Sequence, residues 1–221
     1  MTNAVLRKSR SNAGVPPEAL HALDADGVTV LNGVLTTADV VDLRAAAESL
    51  LEAARRDPTR KHGGTQHLDN LQDAGPPFDR VLASPPLLTA VNHVLGADWS
   101  LNAYGFRGPR PGSGAQALHT DDVALSPGDP FRVVTAIVAL VDFTARNGAT
   151  RVIPGSHREP PPRYLSPQPG VPHPRERIVT AAAGAAIVFN GHIYHSGTPN
   201  ASDHRRDALQ IVFRRRAEGT R

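Results

Sequence analysis

The spacing of apolar residues divides the chain into a first part with helices and a second part made of short strands. Residues 27–31 form an apolar run that ends in an Asn-Gly turn, which predicts a strand. Apolar positions at helical spacing then predict a helix that begins at Thr36 or Thr37 and ends near residue 56. A second helix is predicted over residues 86–95, where a glycine directly follows the last apolar position.

From Trp99 onward the pattern changes to short β-rich runs separated by Gly, Pro, Asn and Asp. The predicted strands cover residues 100–106, 117–121, 132–143, 151–153, 177–179, 185–189, 193–195 and 207–214. Repeated short strands with such turns are typical of an all-β sandwich or barrel. Helices followed by a long β part therefore predict a mainly β fold, a jelly roll with the N-terminal helices packed on one sheet.

Two long segments interrupt this pattern. Residues 57–78 are polar and rich in Gly and Pro, and residues 157–176 contain seven prolines and no apolar periodicity. Long loops on a rigid scaffold commonly bind ligands. We therefore expect residues 158–176 to form a lid that selects the substrate, and we treat His62 and His67 as further candidates for substrate contacts.

Length and composition are those of a globular protein with one domain. The 221 residues include 40% hydrophobic and 20% charged positions, and a chain of this size can bury a core without disulfides. Residues 1–17 are polar and end in two prolines, which predicts a flexible leader before a single domain over residues 18–221. The N-terminus lacks the apolar core of a signal peptide, and the sequence has no membrane-length apolar run. We therefore expect a cytoplasmic protein.

The absence of cysteine excludes disulfides, thiolate nucleophiles and cysteine-ligated metal sites. The net charge of +3 is small and lies largely in the terminal basic residues, and aromatic residues make up only 5% of the chain. A nucleic-acid-binding module usually combines a basic face with stacking aromatics, so we expect no nucleic-acid partner. Any metal in this protein must be held by histidines and carboxylates.

The sequence His119-Thr120-Asp121 is a candidate metal-binding motif. In a strand, residues two apart project from the same face about 6.5 Å from each other along the chain, so both side chains can reach one ion. An imidazole and a carboxylate suit a borderline divalent metal. A third histidine from a distant strand would complete the two-histidine, one-carboxylate triad that is typical of non-haem iron(II) oxygenases.

Three segments resemble the phytanoyl-CoA dioxygenase-like family and occur in the family's order. They are Gln-Ala-Leu-His-Thr-Asp-Asp at residues 116–122, Asn-Gly-Ala-Thr-Arg-Val-Ile-Pro-Gly-Ser-His at residues 147–157, and His-Ser-Gly-Thr-Pro-Asn-Ala-Ser at residues 195–202. The resemblance implies a double-stranded β-helix, a jelly roll of the cupin type. It also implies one Fe(II), with 2-oxoglutarate and O₂ as co-substrates.

By position, the resemblance implies that His119, Asp121 and His195 are the metal ligands and the catalytic centre. His192 is the alternative to His195, because it lies only three residues away. The glycine and asparagine that follow in the family motif match this chain only when His195 is the ligand. We therefore expect His192 to pack beside the site.

2-Oxoglutarate needs a cation at the far end of its pocket, and arginine meets a carboxylate with two parallel hydrogen bonds. In the family this arginine follows the second histidine ligand by about eleven residues, a position that Arg206 occupies here. Strand alternation also favours Arg206 over Arg205, which we expect to be solvated, because Arg206 shares a face with Ala208 and Gln210. Gln116 and Thr150 match positions that contact 2-oxoglutarate in some relatives.

These residues predict an Fe(II)/2-oxoglutarate-dependent dioxygenase that oxidises, and most simply hydroxylates, a small-molecule substrate. The high Ala, Arg and Pro content is associated with bacterial enzymes of secondary metabolism. Halogenating relatives lack the carboxylate ligand, so Asp121 argues against that reaction. The alternative is a metal-dependent cupin-type lyase, isomerase or ligand-binding module, which leaves Arg206 unexplained. The motifs specify neither the substrate nor an oligomeric state.

Overall fold

A computed structural model describes residues 14–55, 64–126, 128–160, 166 and 168–217. The α-helices of this part are α1 (Pro17–Ala25), α2 (Thr37–Arg55), α3 (Pro76–Leu82) and α4 (Pro85–Leu95). The strands are β1 (Val28–Leu31), β2 (Thr65–Leu68), β3 (Trp99–Pro109), β4 (Val133–Ala139), β5 (Thr150–Val152), β6 (Arg177–Val179), β7 (Ala186–Asn190), β8 (His195–Gly197) and β9 (Ala208–Arg215).

The strands form two antiparallel sheets. The large sheet has the order β1-β7-β4-β9-β3-β2, and the small sheet has the order β6-β5-β8. A single bridge between His119 and His195 places the segment around His119 beside β8. The sheets face each other without closing into a barrel, and the fold prediction of a mainly β jelly roll with helices on one sheet is confirmed.

Both faces of the large sheet are buried, and successive side chains of β7 pack alternately in two different cores. Ala186 and Val188 pack in the core that the sheet forms with the helices. Ile187 and Phe189 pack in a second core between the two sheets. Because both faces are covered, the central strands read as nearly continuous apolar runs. The helices therefore support the large sheet from outside, and its inner face is free to build a site.

The predicted helix over residues 36–56 corresponds to α2. Its start is a capping box, in which the Asp39 amide donates to the Thr36 hydroxyl at 3.2 Å and the Thr36 amide donates to the Asp39 carboxylate at 3.0 Å. Val40, Leu43 and Ala47 are buried at helical spacing. The other predicted helix, α4, begins with two prolines and ends at a glycine with a positive φ of 73°.

Several elements differ from the prediction. Residues 117–121 form one β-bridge at His119 and no longer strand, because the Asp121 amide donates to the Gly191 carbonyl in the turn before β8 and so does not extend the ladder. The predicted strand at 193–195 is a turn as far as Ile193, whose amide donates to the Asn190 carbonyl. The prediction also omitted α1, α3 and β2, all of which are short.

The predicted leader lies mostly outside the described residues, as do residues 56–63 with His62. Within the described part, Val15 is buried in the core, so the packed body includes the last residues assigned to the leader. None of the helices in this part has the length and apolar composition that crossing a membrane requires. The cytoplasmic location, the single domain and the absence of a nucleic-acid partner remain predictions.

Candidate active site

His119, Asp121 and His195 converge between the two sheets. Each offers one ligand atom, and these atoms all lie within 4.8 Å of one another. His195 Nε2 is 3.5 Å from Asp121 Oδ1, and the two imidazole centres are 4.5 Å apart. Among the described residues, no other cluster of three or more histidines and carboxylates is close enough to hold a metal ion. The distances suit three ligands around one ion.

Hydrogen bonds fix the orientation of each of the three side chains. His119 Nδ1 lies 2.9 Å from the Ala117 carbonyl, and His195 Nδ1 lies 3.0 Å from the Ile193 carbonyl. A carbonyl oxygen can only accept, so each Nδ1 carries the proton and each Nε2 keeps a lone pair for a metal.

The carboxylate is held in the same way. The Thr135 hydroxyl, from β4, donates to Asp121 Oδ2 at 2.6 Å, which leaves Oδ1 beside His195 Nε2 at 3.5 Å. Burial alone raises the pKa of Asp121, but hydrogen bonds and charge from His195, Thr135 and His119 outweigh it and hold that pKa below its usual range. Burial and the neighbouring His195 lower the pKa of His119. The resting site therefore contains a carboxylate and an imidazole that resists protonation, as a metal site requires.

His192 lies outside this group. Its Nε2 accepts the backbone amide of Arg132 at 3.2 Å, and its ring lies 6.1 Å from that of Phe131. It lines a separate cavity of about 500 Å³ that none of the three candidate ligands lines. The structure thus brings His195, and not His192, to the His-Thr-Asp motif.

A cavity of about 220 Å³ extends from His119 and His195 along the inner face of the large sheet to Arg206. The Arg206 side chain is 8% exposed, and its guanidinium carbon lies 4.4 Å from the centre of the Phe143 ring. No described residue hydrogen-bonds to this guanidinium, and its Nε is buried without a partner. Burial lowers the pKa of Arg206 to about 10, so the group is still charged at neutral pH. A buried, unpaired cation calls for an anionic ligand.

Arg205 is not the solvated side chain that the sequence predicted. Its side chain is 21% exposed and donates to the Glu48 carboxylate at 2.8 Å. It also hydrogen-bonds to Asp207 and Gln66, and it stacks over Phe106 at 5.4 Å. Apart from Asp207, these partners come from α2, β2 and β3, which lie far from residue 205 in sequence. The expectation of solvation was wrong because local alternation cannot report such partners.

Gln116 and Thr150 both line the cavity. The Gln116 Oε1 accepts the Gly197 amide at 2.9 Å, so the Gln116 NH₂ group remains as a donor. None of the described residues hydrogen-bonds to the hydroxyl of Thr150, which is 6% exposed. The cavity therefore combines Arg206 with two neutral groups that can donate hydrogen bonds to an anion.

Another side of the cavity is formed by Thr65, His67, Arg107 and Pro109, from β2 and β3, which we call the entrance wall. Partial burial and the adjacent Arg107 hold the pKa of His67 below its usual range. His67 and Arg107 lie directly opposite each other in the β2–β3 pair. The wall thus offers a neutral imidazole beside a guanidinium.

The described residues of the predicted lid do not line this cavity, so the lid itself stays a prediction. Of residues 158–176, positions 161–165 and 167 lie outside the described residues, and none of the remaining ones lines the cavity. Gly170 and Val171 lie behind its rim, where Gly170 N donates to the Gln116 carbonyl at 3.4 Å. From the other long segment, Thr65 and His67 of β2 line the cavity.

Sequence reasoning missed Thr135 and Ser196, which are both buried beside the ligands. Thr135 could have been singled out from the sequence, since it is the one polar residue in the apolar run of β4. Ser196 sits inside a recognised motif but directs its side chain away from the ligands.

Comparison with known proteins gives consistent matches. The family model described as Phytanoyl-CoA dioxygenase (PhyH) matches residues 23–208. Dioxygenase trt7 of Aspergillus terreus is 30% identical over 88% of this chain and 71% of its own length. The iron/alpha-ketoglutarate-dependent dioxygenase ausO of Aspergillus calidoustus is 33% identical over 67% of this chain and 53% of its own. These two relatives are fungal, so a bacterial source remains a prediction.

Among solved structures, the non-heme alpha ketoglutarate dependent carbocyclase SnoK from nogalamycin biosynthesis superposes with a TM-score of 0.74. The match covers 93% of this chain and 86% of SnoK at 19% sequence identity. At that identity the superposition establishes a shared fold.

Proposed function

The chain belongs to the phytanoyl-CoA dioxygenase family, and from this premise we propose that it oxidises a small-molecule intermediate of secondary metabolism, most simply by hydroxylation. It is an iron- and 2-oxoglutarate-dependent dioxygenase, as the resemblance of its motifs implied. We prefer this function to the alternative of a cupin-type lyase, isomerase or ligand-binding module, because the matched family and relatives are dioxygenases.

One observation carries the assignment of the site: two members of the group His119, Asp121 and His195, the imidazoles, line the same cavity as Arg206, whose guanidinium has no hydrogen-bond partner among the described residues. Two imidazoles and a carboxylate are the ligand set that ferrous iron takes in such oxygenases. We assign these three residues as the iron ligands. Bound iron and 2-oxoglutarate supply the oxidation of a C–H bond by O₂.

The residues around the cavity fit 2-oxoglutarate. Arg206 is buried and none of the described carboxylates forms an ion pair with it, so a ligand carboxylate at that end would satisfy its guanidinium. The Gln116 NH₂ group and the Thr150 hydroxyl face the same cavity and can donate to the same ligand. We assign Arg206 as the clamp for the distal carboxylate, and Gln116 and Thr150 as residues that orient the co-substrate.

The apolar surroundings of the ligands limit the access of water. The Phe189 ring lies 4.4 Å from the His195 ring, and Ile137 and Ala208 also line the cavity. Since Arg206 and the entrance wall line the same cavity of about 220 Å³, we infer that 2-oxoglutarate binds toward Arg206 and that the substrate contacts the entrance wall. Support for a secondary-metabolite substrate comes from the SnoK structure, whose described pathway is nogalamycin biosynthesis.

The proposal is tested by measuring succinate release with Fe(II), 2-oxoglutarate and O₂ across a panel of secondary-metabolite intermediates, with mass analysis of each product. We expect slow succinate release without substrate and a strong stimulation by the accepted class. A product heavier by one oxygen atom supports hydroxylation, whereas loss of two hydrogens would show desaturation or ring closure instead. Stimulation only by a substrate of primary metabolism would contradict the substrate class.

A further inference from the structure

Arg151 is the largest fully buried side chain among the described residues, with 2% exposure. It lies in β5, directly opposite Ser196 of β8, and its neighbour Thr150 faces the cavity while Arg151 does not line it. A buried guanidinium is costly unless its donors are satisfied. Its partners therefore show which parts of the fold it connects.

Two of these partners lie on the segments that carry the histidine ligands. Arg151 Nε donates to the Ser196 hydroxyl at 2.7 Å, directly after His195 in sequence. A terminal nitrogen donates to the Gln116 carbonyl at 3.3 Å, three residues before His119. The same side chain thus contacts both ligand-bearing segments from the face opposite the cavity.

Gln116 connects this contact to the co-substrate pocket. Its backbone amide donates to the Gly197 carbonyl at 3.0 Å, and its side-chain oxygen accepts the Gly197 amide at 2.9 Å. A shift of the Gln116 backbone would therefore move the amide group that faces the cavity.

The remaining donors of Arg151 hold the proline-rich segment. Another terminal nitrogen donates to the Val171 carbonyl at 2.6 Å and to the Glu176 carboxylate at 2.9 Å. Glu176 also accepts the His173 amide at 2.9 Å, which closes the loop around the guanidinium. Glu176 is the counter-ion, and the segment over residues 168–176 shields the pair from water.

We propose that Arg151 is a positioning residue that sets the spacing between the two ligand-bearing segments and, through Gln116, the geometry of the 2-oxoglutarate pocket. Residues 168–176 then contribute to the site indirectly, because Glu176 holds the Arg151 guanidinium in place. The inference rests on the proposed function of the cavity. The variants test the positioning role of Arg151, whereas 2-oxoglutarate binding by the wild-type protein tests the proposed function of the cavity.

The experiment must separate positioning from a general contribution to stability. The double variant Arg151→Met, Glu176→Met removes both charges, and such replacement of a buried ion pair is often neutral or stabilising. Arg151→Lys keeps the charge beside Glu176, but an ammonium cannot reproduce the guanidinium fork that reaches both segments. Arg177→Met is the matched control, because Arg177 is an exposed arginine of the same sheet that pairs with Asp26 at 2.8 Å.

The readouts are the melting temperature and the affinity for 2-oxoglutarate of nickel-loaded protein, measured by calorimetry. Nickel(II) accepts the same ligands as ferrous iron and is stable in air. We expect the double variant and Arg151→Lys each to lose about tenfold in 2-oxoglutarate affinity. The double variant should melt near the wild-type temperature, and Arg177→Met should keep wild-type affinity.

Wild-type 2-oxoglutarate affinity in Arg151→Lys, or in a folded double variant, would overturn the positioning role. An equal loss of affinity in Arg177→Met would do the same, because it would show that any weakening of the small sheet has this effect. Wild-type protein that binds no 2-oxoglutarate when loaded with nickel would instead overturn the proposed function of the cavity.

Discussion

Arg205 and Arg206 are adjacent in sequence, but their guanidinium groups lie on opposite faces of the large sheet. Arg205 stacks over Phe106 and pairs with Glu48 on the side of the helices. Arg206 stacks over Phe143 in the space between the sheets. Only Arg206 therefore reaches the cavity, and Arg205 joins α2 and β2 to the strand that begins after it.

This division predicts different effects for two alanine variants. Arg206→Ala should weaken 2-oxoglutarate binding by about 2–5 kcal/mol, because it removes one partner of a desolvated charge pair. Arg205→Ala should leave that affinity unchanged but lower the free energy of unfolding by about 1–3 kcal/mol, since Glu48 and Asp207 each lose one of their arginine partners. Calorimetric titration and denaturant unfolding of both variants measure the two effects. Equal losses of affinity would contradict the assignment of the clamp.

The contrast between these arginines also shows how far sequence reasoning extends. Period-two alternation placed Arg206 on the inner face with Ala208, because a strand with two buried faces leaves a clear pattern. Two partners of Arg205 come from positions 48 and 66, and no local pattern encodes such contacts. The strand β2 was missed for a related reason: it is a polar edge strand of four residues whose inner face lines a cavity rather than a core.

Helix α3 could have been predicted, since Pro76 and Pro77 begin it and Phe78, Val81 and Leu82 follow at helical spacing. The choice between His192 and His195 could not be made from periodicity, because the intervening residues form a turn. Family motifs were needed to favour His195.

Replacement of a single ligand should remove the metal. We expect His119→Ala, Asp121→Ala and His195→Ala each to lower nickel affinity by more than about 100-fold, because a three-ligand site loses its chelate geometry. His192→Ala is the control and should keep wild-type affinity, since its imidazole binds the Arg132 amide outside the site. Loss of nickel from His192→Ala with retention in His195→Ala would reverse the assignment.

The Thr135 hydroxyl should contribute to metal affinity without contacting the metal. Thr135→Val preserves the shape of the side chain but removes the 2.6 Å hydrogen bond that holds Asp121 Oδ2. Loss of such an orienting partner commonly weakens metal binding by about 10–100-fold. We expect this loss in nickel titrations, whereas Thr135→Ser should retain most of the affinity because it keeps the hydroxyl. Identical affinities in the valine and serine variants would show that Asp121 is oriented by other groups.

The entrance wall, rather than the proline-rich segment, should select the substrate. His67 faces the cavity beside Arg107, and the low pKa of His67 leaves a neutral imidazole that can donate one hydrogen bond and accept another. His67→Ala should therefore raise the KM for the accepted substrate about tenfold, which corresponds to the loss of about one hydrogen bond. Succinate release without substrate should be unchanged. His93→Ala is a suitable control, because His93 pairs with Asp24 away from the cavity. If His67→Ala keeps the wild-type KM, the substrate must be bound by other parts of the cavity rim.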